Sequence, residues 1–510
     1  MNDFPNQSMK YLTPLILALA AACSGSAKQP NILFIAVDDL KPILGVYGTP
    51  IPTPNIDRIA DRGTTFLNAH CQQAICAPSR ASLMTGKRPD GTGVWDLKTK
   101  LREAMPGALT LPEYLQTLGY HTAGVGKIFD PRSVDKGGDS PSWSQPYRQT
   151  WHLQYDEVTG KPAAHYHNPK SRTAAKEAEA AGKSSWSAVN RYLLQQDAWP
   201  AWEAEAVPDD AYDDGAIAAY AVDELGKLAA REEPFFFAVG FKKPHLPFVA
   251  PKKYWDIFDP DGIELADFQR QALNGPNIAY HSWNELRSYS GIPQRGPVDE
   301  ATEKQLIHGY YACVAYIDAQ VGKILDQLEA LDLNEDTIVV FWGDHGFHLG
   351  DHGLWCKHSN FEQATRVPLI IAPHQGRRGR TTGMPVELID LFPTLVELAG
   401  LPQPENLDGL SLVPTLQRGK EDLRDFAVSQ FPRGSAMGYA LRTGRFRFVA
   451  WYKTEGEAAD GKGEVMATEL FDYKNDPLET RNLAGEPQYA QISAELQARL
   501  SEFLQDYAAR

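Results

Sequence analysis

The sequence has no long apolar run in its interior, no excess of positive charge and few cysteines. No interior run reaches the roughly eighteen consecutive apolar residues of a membrane span. The formal net charge is −15, from 50 Lys+Arg against 65 Asp+Glu, and the densest basic cluster is the short GRRGR at 376–380. Nucleic-acid binding needs an extensive basic face, so the composition excludes a nucleic-acid partner. An anionic substrate stays compatible with this charge where a small basic pocket attracts it.

The five cysteines do not form the pattern of a disulfide scaffold. Cys23 lies in the N-terminal segment and Cys76 lies in a motif of its own, which leaves Cys71, Cys313 and Cys356. An odd number of widely spaced cysteines argues against a fold held by several disulfides. With 510 residues, 43% of them hydrophobic, the chain is long enough for one large α/β domain and an accessory part.

The N-terminus has the features of an export signal. Lys10 precedes the short apolar stretch YLTPLILALAAAC, which ends in small residues. Ala20-Ala21-Ala22-Cys23 resembles a bacterial lipobox, so lipidation of Cys23 and cleavage near Ala27 are both open. We predict a signal peptide over residues 1–27 and an exported mature protein that is periplasmic, extracellular or anchored as an outer-membrane lipoprotein.

Short apolar runs alternate with helical patterns along most of the chain, which predicts a mostly parallel sheet with helices on both faces. The predicted strands are 31–37, 121–128, 234–241, 337–343 and 367–373. The predicted helices include 212–230 and 310–331. Strands interleaved with helices indicate a doubly wound α/β domain, which we place at 28–430.

Two parts of the chain depart from this pattern. Residues 131–208 have weak periodicity, and we interpret them as a divergent insertion that carries specificity. Near residue 431 the pattern of apolar and polar residues changes. The stretch YALRTGRFRFVAWYK predicts a pair of antiparallel strands, TELFDY predicts a further strand, and residues 486–508 predict a helix. We therefore predict a smaller C-terminal α+β subdomain with an antiparallel sheet over 431–510.

Polar residues directly follow three of the predicted strands. Asp38-Asp39 follow the first strand, Lys242-Lys243-Pro244-His245 the third and Asp344-His345 the fourth. Ligands of open α/β sheets bind beyond the carboxyl ends of the strands, so these groups should meet at one edge. Three carboxylates are hard oxygen donors and favour Ca²⁺ or Mg²⁺. A single aspartate at a strand end is usually a turn former, so the hypothesis depends on their joint occurrence.

A motif at 76–80 carries a family resemblance. Cys76-Ala77-Pro78-Ser79-Arg80, followed by ASLMTGKRP, is similar to the C-x-P-x-R signature of type I sulfatases in the alkaline phosphatase superfamily. NILFIAVDDL, GYHTAGVGK, GDHGFHLGDHGLWCKHSNF and ELFDYKNDPLETRNL agree with the family in order over nearly the whole mature chain. KPHLPF and WCKHSNF resemble its iduronate-2-sulfatase branch. The resemblance implies an alkaline-phosphatase-like sandwich with a large central sheet flanked by helices.

The resemblance also implies a role for each candidate residue. In sulfatases a maturation enzyme oxidises the motif cysteine, here Cys76, to formylglycine, whose hydrate attacks sulfur and forms a sulfated intermediate. The implied ligands of one Ca²⁺ are Asp38, Asp39, Cys76, Asp344 and His345. The groups implied to neutralise charge on the nucleophile and the sulfate are Arg80, Lys127 and Lys357. His245 is implied to protonate the departing sugar oxygen.

One position departs from the family pattern. Sulfatases commonly place a histidine two residues after the motif lysine, or three in the iduronate-type pattern, whereas Phe129 and Asp130 follow Lys127 here. Asp130 could act as a base, pair with Lys127 or cap the turn before Pro131, and these three interpretations stay open. Further histidines cluster nearby, but we expect no second metal from His348, His352 and His358.

These observations predict an exported, exo-acting sulfatase that removes the 2-O-sulfate of a uronic acid in glycosaminoglycan or similar polysaccharide fragments. Its predicted partners are the sulfated carbohydrate and a formylglycine-generating enzyme. Asp96 and Lys98, with the insertion, are candidates for specificity. Two alternatives are a phosphate or phosphonate ester hydrolase of the same superfamily, and a non-catalytic polysaccharide-binding protein in which Cys76 stays a thiol.

Overall fold

The computed structural model describes residues 29–155, 165–454, 458 and 460–509. The predicted signal peptide, with Cys23, lies outside the described residues, as does a part of the predicted insertion. Within the described ranges, every helix is too short or too polar to cross a membrane.

A seven-stranded sheet forms the centre of the molecule. Its strands are β1 (Asn31–Val37), β2 (Thr64–Phe66), β3 (His121–Gly126), β4 (Phe235–Phe241), β5 (Thr337–Gly343), β6 (Leu369–Ala372) and β7 (Arg380–Thr382). The order across the sheet is β7-β2-β6-β5-β1-β4-β3. The four neighbours β5, β1, β4 and β3 are parallel, which confirms the predicted α/β class.

Helices cover both faces of this sheet. The longer ones are α1 (Pro54–Arg62), α2 (Cys76–Thr85), α3 (Leu111–Thr117), α4 (Pro169–Ala180), α5 (Trp186–Gln195), α6 (Asp213–Ala229), α7 (Glu300–Ala330), α8 (Leu391–Leu398) and α9 (Ala490–Ala508). Alternate residues of β1 belong to two separate cores: Leu33, Ile35 and Val37 lie in one, and Ile32 and Phe34 in the other. A strand buried on both faces explains its uninterrupted apolar sequence.

Shorter elements connect these. The short strands are Ala69–His70, Trp202–Glu203, Phe248–Val249, His348–Leu349, Trp355–Cys356, Arg366–Val367 and Val386–Glu387. The short helices are Pro89–Thr92, Leu101–Ala104, Lys252–Trp255, Asn284–Arg287, Glu362–Thr365 and Val413–Arg418.

Three elements differ from the sequence-based expectation. The run at 367–373 forms β6, but this strand is antiparallel to both neighbours, because an apolar run does not encode strand direction. The helix predicted at 310–331 begins earlier, at Glu300, where the Asp299 side chain accepts a hydrogen bond from the Thr302 backbone N–H at 2.8 Å. The segment 131–208 contains the helices α4 and α5; α4 buries only Ser171 and three alanines and α5 buries only Leu193, so neither has the large buried apolar face of a core helix.

The C-terminal part is a four-stranded antiparallel sheet with one long helix, as predicted. Its strands are β8 (Phe426–Arg433), β9 (Ala436–Thr443), β10 (Phe446–Lys453) and β11 (Val465–Asp472). The first strand begins before the boundary placed at 431. Leu496, Leu500 and Leu504, four residues apart on α9, lie in the same core as Leu441 and Phe448 of the sheet.

Candidate active site

The carboxyl ends of the parallel strands bring two acidic pairs together. Asp38-Asp39 follow β1, and Asp344-His345 follow the neighbouring β5. Consecutive strand residues point to opposite faces, so two adjacent aspartates can reach one site only where the backbone leaves the strand. Asp39 does so with φ 59°, a left-handed conformation that aspartate tolerates. Its backbone N–H donates to Asp344 Oδ1 at 3.0 Å, which ties the two strand ends together.

Cys76 is the first residue of α2 and lies against the acidic pairs. Its Sγ is 3.3 Å from His345 Nε2, and the side chain is 1% exposed. Pro78 fits in this first turn because the first N–H groups of a helix have no acceptor within the helix. Burial and the charge of Asp38 raise the pKa of the Cys76 thiol well above its ordinary value. The unmodified side chain is therefore a protonated thiol at neutral pH, which is a weak nucleophile.

Three cations, the buried Arg80 and Lys357 and the partly buried Lys127, are bonded to the three aspartates. Arg80 donates from Nε to Asp344 Oδ2 at 2.8 Å and from Nη2 to Asp38 Oδ1 at 3.1 Å. Lys127 Nζ lies 2.5 Å from Asp38 Oδ2. Lys357 Nζ donates to both oxygens of Asp39, at 3.0 and 2.8 Å.

The charges of these groups follow from their partners. Burial alone would lower the pKa of Lys127 and of Lys357. The charge of Asp38 beside Lys127 and the charge of Asp39 beside Lys357 instead raise both pKa values above the ordinary value. Burial alone would raise the pKa of Asp38, but Lys127 and Arg80 hold it well below its ordinary range. Lys127 and Lys357 are thus ammonium ions, each paired with a carboxylate, and the local basic pocket expected in this acidic protein stays a prediction.

His245 and Glu285 complete the cluster. His245 Nδ1 is 2.6 Å from the Leu246 carbonyl oxygen, and its Nε2 is 3.1 Å from Glu285 Oε1 and 4.0 Å from Asp39 Oδ2. Glu285 Oε1 also accepts from Lys357 Nζ at 2.9 Å. Burial alone would raise the pKa of Glu285, but Lys357 and His245 hold it well below its ordinary range. The sequence analysis did not identify Glu285, because it lies on a one-turn helix that follows no strand.

The site opens to solvent on one side. The side chains of Asp38, Asp39, Asp344 and His345 are essentially inaccessible. Solvent reaches the side chains of Lys127, His245 and Glu285, which are 12%, 25% and 21% exposed. A ligand therefore approaches Cys76 past these three residues.

The structure gives Asp130 a partner that the sequence analysis did not name. Asp130 is buried and accepts from the backbone N, Nε and Nη2 of Arg132 at 2.9, 2.8 and 2.7 Å, while Lys127 Nζ is 3.9 Å away. Burial raises the pKa of Asp130, but the hydrogen bonds of Arg132 outweigh it and lower the pKa to about 2. Of the three interpretations, a turn cap fits the contacts with Arg132 and pairing fits the 3.9 Å distance to Lys127, whereas a carboxylate engaged in this way is a poor base.

Asp96 and Lys98 lie in an exposed loop. Asp96 Oδ1 accepts from the backbone N–H groups of Lys98 and Thr99 at 2.8 and 2.7 Å. The preceding residue, Trp95, accepts through its carbonyl oxygen from Gln73 Nε2 at 2.7 Å. This bond attaches the loop to the segment just before Cys76, and the role of Asp96 and Lys98 in specificity stays a prediction.

Several further histidines are buried around the cluster. His348 Nε2 is 2.9 Å from Ser359 Oγ, and the ring of His352 stacks on Phe361 with centroids 4.2 Å apart.

His70, on a short strand that pairs with Arg366–Val367, has its Nε2 2.8 Å from Asn68 Oδ1. Its Nδ1 has no hydrogen-bond partner among the described residues. Burial lowers the pKa of His70 to about 4, so its ring is neutral at pH 7.

We expect the buried His70 to make stability depend on pH. Its pKa is lower in the folded chain than the value of about 6.5 in the unfolded chain, so its contribution is complete above pH 6.5 and is lost as the pH falls towards 4. Between pH 7.5 and 5.5 the free energy of unfolding should fall by about 1 kcal/mol more in the wild type than in His70→Gln. Denaturant titrations of both proteins at the two pH values test this, and equal losses would contradict it.

Comparison with known proteins identifies the family. The family described as Sulfatase matches residues 30–401, and the C-terminal family of N-sulphoglucosamine sulphohydrolase matches residues 350–506. Iduronate 2-sulfatase of Mus musculus is 32% identical over 547 aligned positions, covering 93% of this chain and 94% of that protein. A sulfatase of Formosa agariphila is 30% identical, and the alignment covers 89% of this chain and 83% of that protein.

Solved structures agree on the fold. A protein in complex with D-glucosamine-2-N,6-O-disulfate has a TM-score of 0.71 at 22% identity, covering 95% of this chain and 99% of its own. The phosphonate monoester hydrolase of Agrobacterium radiobacter has a TM-score of 0.70 at 23% identity, and the superposition covers 94% of this chain and 96% of that chain. At such identities the likeness concerns the fold alone, and the sequence matches decide the family. The chain belongs to the type I sulfatase family, and it is a sulfatase.

Proposed function

We propose that this sulfatase hydrolyses the 2-O-sulfate ester of a uronic acid in glycosaminoglycan or similar polysaccharide fragments, using Cys76 after its conversion to formylglycine, and Ca²⁺. The observation that carries the proposal is the position of Cys76 at the start of α2, against Asp38, Asp344 and His345. The 32% identity with iduronate 2-sulfatase over 93% of the chain supports the 2-O-uronate assignment.

The donor set fits a hard divalent cation. One ligand atom each of Asp38, Cys76, Asp344 and His345 lies within 4.8 Å of the others, and Asp39 Oδ1 is 3.4 Å from His345 Nε2. His345 Nδ1 lies 3.0 Å from the Gly346 carbonyl oxygen, to which it donates. The Nε2 lone pair is thereby directed at the carboxylates, as in histidines that bind metals. These five residues would hold the ion, which polarises sulfate oxygens and lowers the pKa of a bound hydroxyl.

The cations around Cys76 are placed to bind the sulfate group. Lys127 is paired with Asp38 and Lys357 with Asp39, so each of these two adjacent carboxylates carries an ammonium group that an anion in front of Cys76 would contact. Arg80 is fully buried behind them and holds Asp38 and Asp344 in place. Fixed charges in a site with little water stabilise the negative charge that develops on the transferred group.

His245 is placed to protonate the leaving alcohol. Both of its nitrogens face acceptors, the Leu246 carbonyl oxygen and Glu285 Oε1, and a ring that carries two protons satisfies both contacts. The proton on Nε2 then lies at the open side of the site, where the sugar must be. A sugar oxygen is a poor leaving group, so it needs this proton.

The uronate assignment is tested by sulfate release from defined disaccharides, saturated and unsaturated, that differ only in sulfate position. The protein is produced together with a formylglycine-generating enzyme and supplied with Ca²⁺. We expect selective loss of the uronate 2-O-sulfate. No turnover of that ester by protein with confirmed aldehyde at position 76 would contradict the assignment and direct attention to other sulfated glycans.

Replacement of His245 by glutamine should affect poor leaving groups most. We expect kcat/KM to fall by about 10²- to 10³-fold on the sugar sulfate, and far less on nitrophenyl sulfate, whose alcohol departs without protonation. Both esters are measured on the same preparation, so partial misfolding would lower both rates equally. Equal losses on the two esters would therefore contradict the assignment of His245 as general acid.

A further inference from the structure

Glu285 places an additional negative charge where the substrate must bind. It lies on the one-turn helix Asn284–Arg287, and its Oε1 contacts Lys357 Nζ at 2.9 Å and His245 Nε2 at 3.1 Å. Lys357 also donates to both oxygens of Asp39. Glu285 is thus a second carboxylate on that lysine, and its side chain is 21% exposed at the open side of the site.

A carboxylate at this position repels a bound anion in proportion to the charge of that anion. An ester that contacts both Lys357 and His245 comes close to the Glu285 carboxylate, because that carboxylate touches both side chains. Coulomb repulsion from one fixed charge is twice as large for a dianion as for a monoanion, and it is weakly screened in a partly buried site. A sulfate monoester carries one negative charge, whereas a phosphate monoester carries two at about pH 8.

We propose that Glu285 is a specificity-determining residue that disfavours dianionic phosphate monoesters relative to monoanionic sulfate esters. The proposal deepens the proposed function and rests on it, since it takes a sulfate ester as the substrate. Glu285 also positions Lys357 and His245, so its removal lowers the rate on every ester. The discriminating quantity is therefore the ratio between substrates.

The test uses Glu285→Gln, which keeps the shape and an acceptor oxygen but removes the charge. Three esters of one alcohol are compared at about pH 8: the sulfate, the phosphate, and a methylphosphonate that has the tetrahedral phosphorus of the phosphate but one negative charge. The kcat/KM of each ester is measured, together with the inhibition constant of the phosphate ester against sulfate hydrolysis, which reports on binding without turnover. Glu502→Gln, an exposed change on α9, is the matched control.

In Glu285→Gln we expect the ratio of kcat/KM for the phosphate to kcat/KM for the sulfate to rise by about tenfold. Equivalently, the inhibition constant of the phosphate ester should fall by about tenfold. The preference for methylphosphonate over sulfate should stay the same, as should both ratios in Glu502→Gln. Unchanged ratios in Glu285→Gln, or phosphate and methylphosphonate rising together, would overturn the proposal. A wild-type enzyme that hydrolyses no sulfate ester despite the aldehyde would instead overturn the proposed function.

Discussion

Cys76→Ala is expected to lower the rate of sulfate release by about 10⁴-fold or more, because it removes the group that we propose is converted into the nucleophile. The basic groups and the carboxylates remain in this variant. Without the converted side chain of residue 76, however, no group of the cluster can attack sulfur. Release of inorganic sulfate from the preferred disaccharide measures the loss. Mass spectrometry of the peptide containing residue 76 verifies that the wild type carries the aldehyde.

Cys71→Ala is the matched control for this change. Cys71 is also buried, and its Sγ lies 3.9 Å from the Ala364 carbonyl oxygen, outside the acidic cluster. Its loss should lower stability modestly and leave the rate of the converted enzyme nearly unchanged. A Cys76→Ala protein that unfolds at the wild-type temperature and still releases sulfate would contradict the role of Cys76.

Removal of divalent cations should abolish activity and lower the melting temperature. Asp38, Asp39 and Asp344 meet at a site with little solvent that exists only in the folded chain, so the proposed cation would bind the folded state selectively. A ligand that binds only the folded state at a hundred times its Kd adds about 2.7 kcal/mol of stability. Chelator-treated protein should therefore melt at a lower temperature and release no sulfate.

Addition of Ca²⁺ should restore both properties, and Asp344→Asn should abolish the response of the melting temperature to Ca²⁺. The melting temperature is independent of turnover, so it reports on binding even if activity is lost for another reason. Full activity of protein that elemental analysis finds free of metal would contradict the proposed cation site.

The sequence predicted that the polar residues following two of the parallel strands would lie together. Asp38-Asp39 and Asp344-His345 were identifiable because parallel strands end at a common edge, so sequence position gives spatial position. Glu285 gave no such signal, since it lies in an irregular stretch and reaches the site through tertiary packing. The contact between Asp130 and Arg132 had no sequence signal either, because a hydrogen bond between side chains two residues apart depends on the local backbone conformation of an irregular segment. The direction of β6 was unpredictable because an apolar run is the same in both directions.

The burial of α2 constrains the order of events in biosynthesis. Every residue of this helix, including the signature from Cys76 to Arg80, is buried in the folded protein. A modifying enzyme must bind the signature as an accessible segment, so the proposed oxidation of Cys76 has to take place before the chain folds. A host that lacks such an enzyme would produce a folded protein that is stable but inactive, and later exposure to the enzyme would not activate it unless the chain were first unfolded.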